Sequence, residues 1–353
     1  MSLRICSPQL GLSPTSILGG EIYDDQVLKG LAKLGVKVDI LLPQNRPYDR
    51  TIKNWVVKFL PFTHIPALLF NLLEIPYLFH SYSQHKFSII RLHAPYFTGI
   101  GAWFFKLFHP HIKLVATYHQ ARRGFPFDLI NKLFIHQWNA IITDSLTAKQ
   151  DLIHRFNLSA TKITVIPGGA PTYLKPAKRK DRKLVTLLFM GLLTPRKNPL
   201  FLVKVMHQLH RRKLPAKLII CGDGTLKSRL LQHGISVHPP VFGPAKQKLY
   251  NQADIFVHPS LHEGLPLVVL EAMACSLPVV ISQGFSAAEV IDHGKTGYLA
   301  EINNVSDWVN KLTPLIKSYS LRQRFGQAAR TEQLRRFSWS QAVKKHLQLF
   351  KSL

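Results

Sequence analysis

Two α/β domains, each a parallel sheet covered by helices, are what this sequence predicts, on three observations. At 353 residues the chain exceeds the usual size of one hydrophobic core, and two domains are the default for that length. Short β-branched runs alternate with helical patterns from end to end, which is the signature of βαβ units. A basic, proline-containing stretch at 175–183, where six basic residues are opposed only by Asp181, interrupts the alternation and reads as a linker. Hydrophobic residues at 46% and charged residues at 18% exclude a disordered or collagen-like chain.

In the first domain, 1–174, strands are expected at 3–6, 36–42, 88–93, 113–119, 140–143 and 163–166, with helices such as 20–34 and 145–156 between them. The second domain, 184–338, opens with a strand at 184–190 and continues with strands at 217–221, 255–258 and 279–281. A C-terminal helix, 339–353, is expected to complete the first domain. The most apolar region, 55–80, is broken by Lys58, Glu74, Pro61, Pro66 and Pro76, so no uncharged stretch reaches the roughly 20 residues of a spanning helix. It reads equally as a buried core helix or as a helix lying on a membrane surface. The first 20 residues lack the continuous apolar core of a secretory signal. Cys6, Cys221 and Cys275 are far apart and form no CxxC pair. A reducing, cytoplasmic location is expected, with peripheral attachment to the inner face of the cell membrane open.

Lysine and arginine total 46 against 19 acidic residues, giving +27, an excess that attracts anions of any kind. Nucleic acid, anionic lipid and phosphorylated substrates are the candidates. From Lys311 onward only Glu332 opposes the positive run, and such runs read equally as solvated helix faces.

Three constellations could carry chemistry. The strand at 184–190 runs into Gly191, Thr194, Pro195, Arg196 and Lys197, with Asn198 and Pro199 as N-cap and first residue of a helix. Lys197 is thereby expected beside a helix N-terminus, where phosphate is favoured by free N–H groups and the helix dipole; alone, a surface basic pair is the commoner reading. The next strand ends in Cys221, Gly222, Asp223 and Gly224, a tight glycine turn. The third element is the sharpest: the strand at 255–258 leads into Pro259, Ser260, Leu261, His262, Glu263, Gly264, Leu265 and Pro266, then a helix carrying Glu271. If Pro266 starts that helix, the N–H groups of Leu265, Leu267 and Val268 can cradle a phosphate. Glu263 and Glu271 can then accept hydroxyl hydrogen bonds from a sugar and a ribose. An isolated glutamate pair is commonly surface charge, but the apolar run Val268, Val269, Leu270, Ala272 and Met273 makes an unemployed Glu271 costly.

These residues resemble the retaining glycosyltransferases of family four, which have the GT-B fold, and the resemblance covers nearly the whole chain. The block ADIFVHPSLHEGLPLVVLEAMACSLPVVIS, continuing to Gly297-Tyr298-Leu299, matches the family hallmark of two glutamates separated by seven residues. Weaker matches are Gly19-Gly20-Glu21, Thr117-Tyr118-His119, Asp144-Ser145, Val165-Ile166-Pro167, 191–197 and 221–224. The resemblance implies two Rossmann-like domains facing across a cleft that binds a nucleotide-sugar donor. It implies that Lys197 neutralises the donor diphosphate, that Glu271 binds the ribose, that Glu263 binds sugar hydroxyls, and that His119 reaches the transferred sugar. Gly19 and Gly20 would let backbone approach the reacting phosphate, while Arg196, Gly222, Gly264, Leu265 and Leu267 would complete the donor site. Three departures stand out. Leu192 occupies the place of a phosphate-binding arginine, for which Arg196 can substitute; Gly168-Gly169 replaces Asn-Gly; and Ser276 stands where a glycine ends the glutamate helix, at a cost of about 1 kcal/mol if that position is left-handed.

Sugar transfer passes through a cationic sugar and a diphosphate leaving group, so fixed positive potential is the main requirement. No Asp-x-Asp metal motif occurs. The expectation is a metal-independent hexosyltransferase using a UDP- or GDP-linked sugar, with no cofactor and with a lipid-linked or lipopolysaccharide-type glycan as acceptor. The rivals are a sugar-nucleotide epimerase or phosphorylase of the same architecture and a basic nucleic-acid-binding protein. The last leaves the Glu263 to Glu271 spacing unexplained, and no nucleic-acid motif supports it.

Overall fold

The computed structural model describes residues 3–63, 66–119, 124–284 and 286–353. They form two compact units, Met1–Pro167 with Trp339–Leu353, and Gly168–Ser338. The boundary thus falls before position 174, and the basic stretch 175–183 packs on the second unit. There Arg179 donates to the carbonyls of Cys275 at 2.8 Å and Ala253 at 3.0 Å, while Arg182 donates to that of Gln252 at 2.8 Å.

The first unit is a seven-stranded parallel sheet in the order β3-β2-β1-β4-β5-β6-β7. Its strands are β1 (Arg4–Pro8), β2 (Lys37–Pro43), β3 (Trp55–Leu60), β4 (Ile89–His93), β5 (Lys113–Tyr118), β6 (Ala140–Thr143) and β7 (Ile163–Val165). The helices are α1 (Gly19–Lys33), α2 (Ala67–Leu73), α3 (Ile75–Gln84), α4 (Pro95–Phe108), α5 (Phe127–Phe134) and α6 (Leu146–Phe156). Helices cover both faces, so β2, β4 and β6 are nearly continuous apolar runs rather than alternating ones. The order reverses direction between β1 and β4, and at that point the strand ends leave a crevice suited to ligands. The N-terminus of α1 and His93 at the end of β4 both lie there.

The second unit has a six-stranded parallel sheet in the order β10-β9-β8-β11-β12-β13. Its strands are β8 (Val185–Met190), β9 (Ala216–Cys221), β10 (Val237–His238), β11 (Ile255–His258), β12 (Val279–Ser282) and β13 (Gly297–Ala300). The helices are α7 (Pro199–Arg211), α8 (Lys227–Gln232), α9 (Gly243–Gln252), α10 (Leu267–Ala274), α11 (Ala287–Val290), α12 (Val305–Lys317) and α13 (Tyr319–Arg336). Here the order reverses between β8 and β11, the two strands that lead into Lys197 and Glu263. Ser276, after α10, has φ +54°, so the left-handed conformation anticipated for it is present.

All expected strands exist. Three more, β3, β10 and β13, were not anticipated. β3 is the informative one, because the apolar region 55–80 is a strand followed by two short helices rather than one helix. Residues 64 and 65 within it lie outside the described ones. The last helix, α14 (Trp339–Lys351), returns to the first unit and buries Trp339, Val343, His346 and Phe350. A Cβ at Gly30 of α1 would lie 2.2 Å from Val343 Cγ2, so only a glycine lets the two helices pack this closely.

Glu74, at the junction of α2 and α3, is fully buried, and neither carboxyl oxygen meets a side-chain donor among the described residues. Burial pushes its carboxyl well up, with the Ala102 backbone offsetting part of the effect. A value raised on folding contributes stability below the unfolded value and loses it as pH rises. Glu74→Gln should therefore stabilise the chain by on the order of 1 kcal/mol at neutral pH and by little near pH about 4, read from thermal unfolding across that range.

Candidate functional site

In the second unit, β8 ends in a turn that places Pro195–Lys197 in one tight helical turn before α7. The loop after β11 is stitched to it: the Leu261 N–H donates to the Arg196 carbonyl at 2.8 Å. This brings Glu263 onto both cations. Lys197 Nζ donates to Glu263 Oε1, and Arg196 Nη1 approaches Oε2 at 3.3 Å while donating to the His262 carbonyl at 2.9 Å. His258 Nε2 lies 3.0 Å from Oε1, and the Ser260 hydroxyl donates to the same oxygen. His258 is buried between the rings of Phe189 and Phe256, stacked at 6.3 and 6.2 Å. Burial pushes its imidazole down, so it is neutral and gives Nε2–H to the carboxylate. Burial alone would push the Glu263 carboxyl up, but Lys197, His258 and Arg196 outweigh it and hold the group well below the usual carboxylate range.

Glu271 follows on α10, buried to 3% exposure. Lys246 Nζ donates to its Oε1 at 2.7 Å and the Tyr250 hydroxyl to its Oε2 at 2.8 Å. The helix starts one residue later than expected: Pro266 is the N-cap in an extended conformation, and Leu267 is the first helical residue. The Val269 and Leu270 N–H groups bond back to the Pro266 carbonyl at 2.9 and 3.4 Å, which leaves those of Leu267 and Val268 without a carbonyl one turn earlier in the helix. Leu265 turns its side chain into the core, and the Gly264 carbonyl accepts from the Ser286 hydroxyl. Asn198 likewise precedes α7 but does not cap it. It sits at φ +54° and its side chain donates to Asn303 Oδ1 at 2.9 Å. Gly222 has a packing reason to be glycine: a Cβ there would lie 1.9 Å from the Gly191 carbonyl oxygen, where the turns after β8 and β9 meet.

In the first unit, His119 follows β5. Its Nδ1 lies 2.9 Å from Asp144 Oδ2, and its Nε2 is buried with no hydrogen-bond partner among the described residues. A carboxylate at Nδ1 holds the proton there and leaves Nε2 as a bare acceptor. Tyr23 meets the ring edge-on at 4.9 Å between centroids, and its own hydroxyl donates to the Ile166 carbonyl at 2.7 Å. Gly20, in the first turn of α1, lies under two imidazoles: a Cβ there would stand 3.2 Å from His93 Cε1 and 3.3 Å from His119 Cδ2. Gly19 meets no such limit. Beneath them Arg91 and Asp24, both fully buried, pair at 2.6 Å, and His93 Nδ1 lies 2.8 Å from Asp24 Oδ2. Asp24, His93 and His119 offer ligand atoms within 4.8 Å of one another, a grouping able to hold a metal ion on spacing alone. The Arg91 guanidinium on Asp24 opposes a further cation there.

Within the second unit, then, Lys197, Arg196 and Glu263 converge, with Glu271 further along α10; within the first, Gly20 and His119 converge. Sequence reasoning missed Lys246, Tyr250, His258 and Ser260 around the glutamates, and Asp24, Arg91 and His93 beneath His119. Lys246 and Tyr250 carried a usable signal, because residues four apart share a helix face. The buried Arg91 inside an apolar strand was another.

Two family models match the chain in succession, Glycosyltransferase Family 4 over residues 18–173 and Glycosyl transferases group 1 over residues 173–332. An uncharacterized glycosyltransferase of Methanocaldococcus jannaschii is 25% identical over 96% of this chain and 95% of its own length. Among solved structures, sucrose-phosphate synthase from Thermosynechococcus elongatus superposes with a TM-score of 0.84 at 18% identity, covering 99% of this chain and 98% of the other. Anabaena HepE in complex with UDP and glucose gives 0.80 at 17% identity, covering 99% and 100%. At such identities the likeness to the two solved structures is one of fold.

Proposed function

We propose, from the premise that the chain belongs to the family 4, group 1 glycosyltransferases with the GT-B fold, that it moves a hexosyl group from a UDP- or GDP-sugar with retention of configuration and without a metal ion. The observation that carries this reading is the pairing of Glu263 with Lys197 and Arg196, which stand just before α7, together with the buried Glu271 on α10. A donor diphosphate competes with Glu263 for the two cations. Meanwhile the Leu267 and Val268 N–H groups and the dipole of α10 favour negative charge. Glu271 accepts the ribose hydroxyls, and Nε2 of His119 accepts a hydroxyl of the sugar. The acceptor oxygen bonds to the anomeric carbon as the bond from that carbon to phosphate breaks. The electron pair leaves with the diphosphate, and the acceptor proton passes to the departing phosphate oxygen. A thermal-shift panel of UDP-, GDP- and ADP-sugars tests the donor, because a ligand of the folded state raises apparent stability. Transfer should survive EDTA. Activity lost to EDTA and restored by magnesium or manganese would overturn the metal-free phosphate chemistry, and product formed without acceptor would point to an epimerase.

For the acceptor we propose a lipid-linked or lipopolysaccharide-type glycan, reached from an anionic membrane surface. Leu69 and Leu72 on α2 and Leu107 and Phe108 on α4 are 48%, 59%, 57% and 60% exposed, on helices that pack together. Lys58, Lys86 and Lys106 belong to the same unit. Trp55 and Phe70 from the same apolar region are buried instead, so they belong to the core. No described helix is long and apolar enough to cross a membrane. Apolar insertion plus basic residues worth roughly 1 kcal/mol each near the surface supports peripheral binding. Co-sedimentation should require vesicles containing anionic lipid, weaken with salt, and drop when Leu69 and Leu72 become serine. Indifference to such vesicles at low salt, with efficient transfer to a water-soluble acceptor, would remove the membrane from the proposal.

A further inference from the structure

The Glu271 carboxylate has a support that the donor motif does not include. On α9, Lys246 and Tyr250 stand one turn apart on one face and reach the two oxygens separately, Nζ to Oε1 at 2.7 Å and the hydroxyl to Oε2 at 2.8 Å. The Tyr250 hydroxyl also lies 3.2 Å from the Val268 carbonyl, which fixes its position against the start of α10. Tyr250 is fully buried, and the Lys246 side chain keeps 14% of its exposure. The other titratable groups facing this carboxylate are Tyr173 and Cys275, with Cys221 beside Lys246. Burial pushes all three up, Cys275 to about 12, and pushes Tyr250 well up too, so each is neutral at neutral pH. Among the described residues, the cation paired with Glu271 is Lys246.

We propose that Lys246 and Tyr250 are positioning residues that hold the Glu271 carboxylate turned so that each of its oxygens offers one remaining lone pair to the two vicinal hydroxyls of a nucleotide ribose. This rests on the donor reading given above. An ionised carboxylate has about four acceptor sites, and using one on each oxygen leaves a pair spaced for a diol. Charge matters as much as aim. A buried carboxylate is costly without a cation beside it, and Lys246 supplies that cation.

The test is calorimetric binding of UDP, and of 2′,3′-dideoxy-UDP, to the whole chain and to Lys246→Met and Lys246→Arg. Affinities are expressed as the ratio to wild type. Lys246→Met should weaken UDP binding by roughly 10- to 100-fold. Lys246→Arg should restore wild-type affinity. For 2′,3′-dideoxy-UDP, wild type and Lys246→Met should bind nearly alike, since the hydroxyls that Glu271 reads are gone. Ligand-free unfolding temperatures separate a loss of fold from a loss of binding. An equal loss for both nucleotides places Lys246 on phosphate and overturns the inference. So does a ratio for UDP that stays at one. Wild-type protein that binds none of the sugar nucleotides overturns the donor reading itself, and this inference with it.

Discussion

Lys197→Ala and Glu263→Gln should each lower kcat/KM for sugar transfer by roughly 30- to 1,000-fold, equivalent to about 2 to 4 kcal/mol of transition-state stabilisation, while the fold survives. The two losses should differ in kind. Lys197 keeps only 13% of its side-chain exposure beside its carboxylate partner, so it is a preorganised charge that costs little reorganisation when a diphosphate arrives. Its removal should raise the donor KM and lower kcat together. Glu263→Gln leaves Lys197 and Arg196 without their counterion, which strengthens their hold on a diphosphate but removes the carboxylate that His258, Ser260 and both cations had fixed in place. Its signature should be a fall in kcat with a donor KM unchanged or lower. Because the Glu263 carboxyl is held well below the ordinary range, wild-type activity should show no acid limb from this group at mildly acidic pH. Wild-type turnover in both variants would sink the assignment.

Arg91→Met should destabilise the first unit by about 3 to 5 kcal/mol, because it strands Asp24 as a buried charge without its cation. For a unit of this size that corresponds to a fall in Tm of roughly 6 to 20 °C. Burial pushes the Asp24 carboxyl up, yet Arg91 and His93 together outweigh burial and hold it well below the carboxylate range. A value depressed on folding contributes stability above the unfolded value and loses it as pH falls. In Arg91→Met that balance should reverse, since burial then dominates and the deficit grows as pH rises. A double variant, Asp24→Leu with Arg91→Met, should recover much of the loss, as replacing both members of a buried pair with apolar groups often does. Unfolding measured across pH for the three proteins decides it. A single variant as stable as wild type would mean that the pair is not an energetic unit.

The parallel strands were legible because a sheet covered on both faces writes nearly continuous apolar runs into the sequence, and β8, β11 and β12 read that way. β3 escaped notice because it merges with the apolar run of α2, and a short apolar stretch does not distinguish strand from helix by period. The two-residue β10 is too short to carry any pattern.

What the sequence by itself determined is the alternation of strand and helix, and with it the placement of Lys197, Glu263 and His119 at strand ends, since local spacing alone decides which residues follow a strand. Tertiary structure decided their partners. Lys246 meets Glu271 across 25 positions, Lys197 meets Glu263 across 66, and Arg91 meets Asp24 across 67. Such pairs depend on which strands become neighbours at the reversals of sheet order, where β1 adjoins β4 and β8 adjoins β11. The same packing removes water from these groups. Burial, a property of the assembled units rather than of any segment, is what makes the charge of Asp24 and Glu263 depend on the cation each one meets.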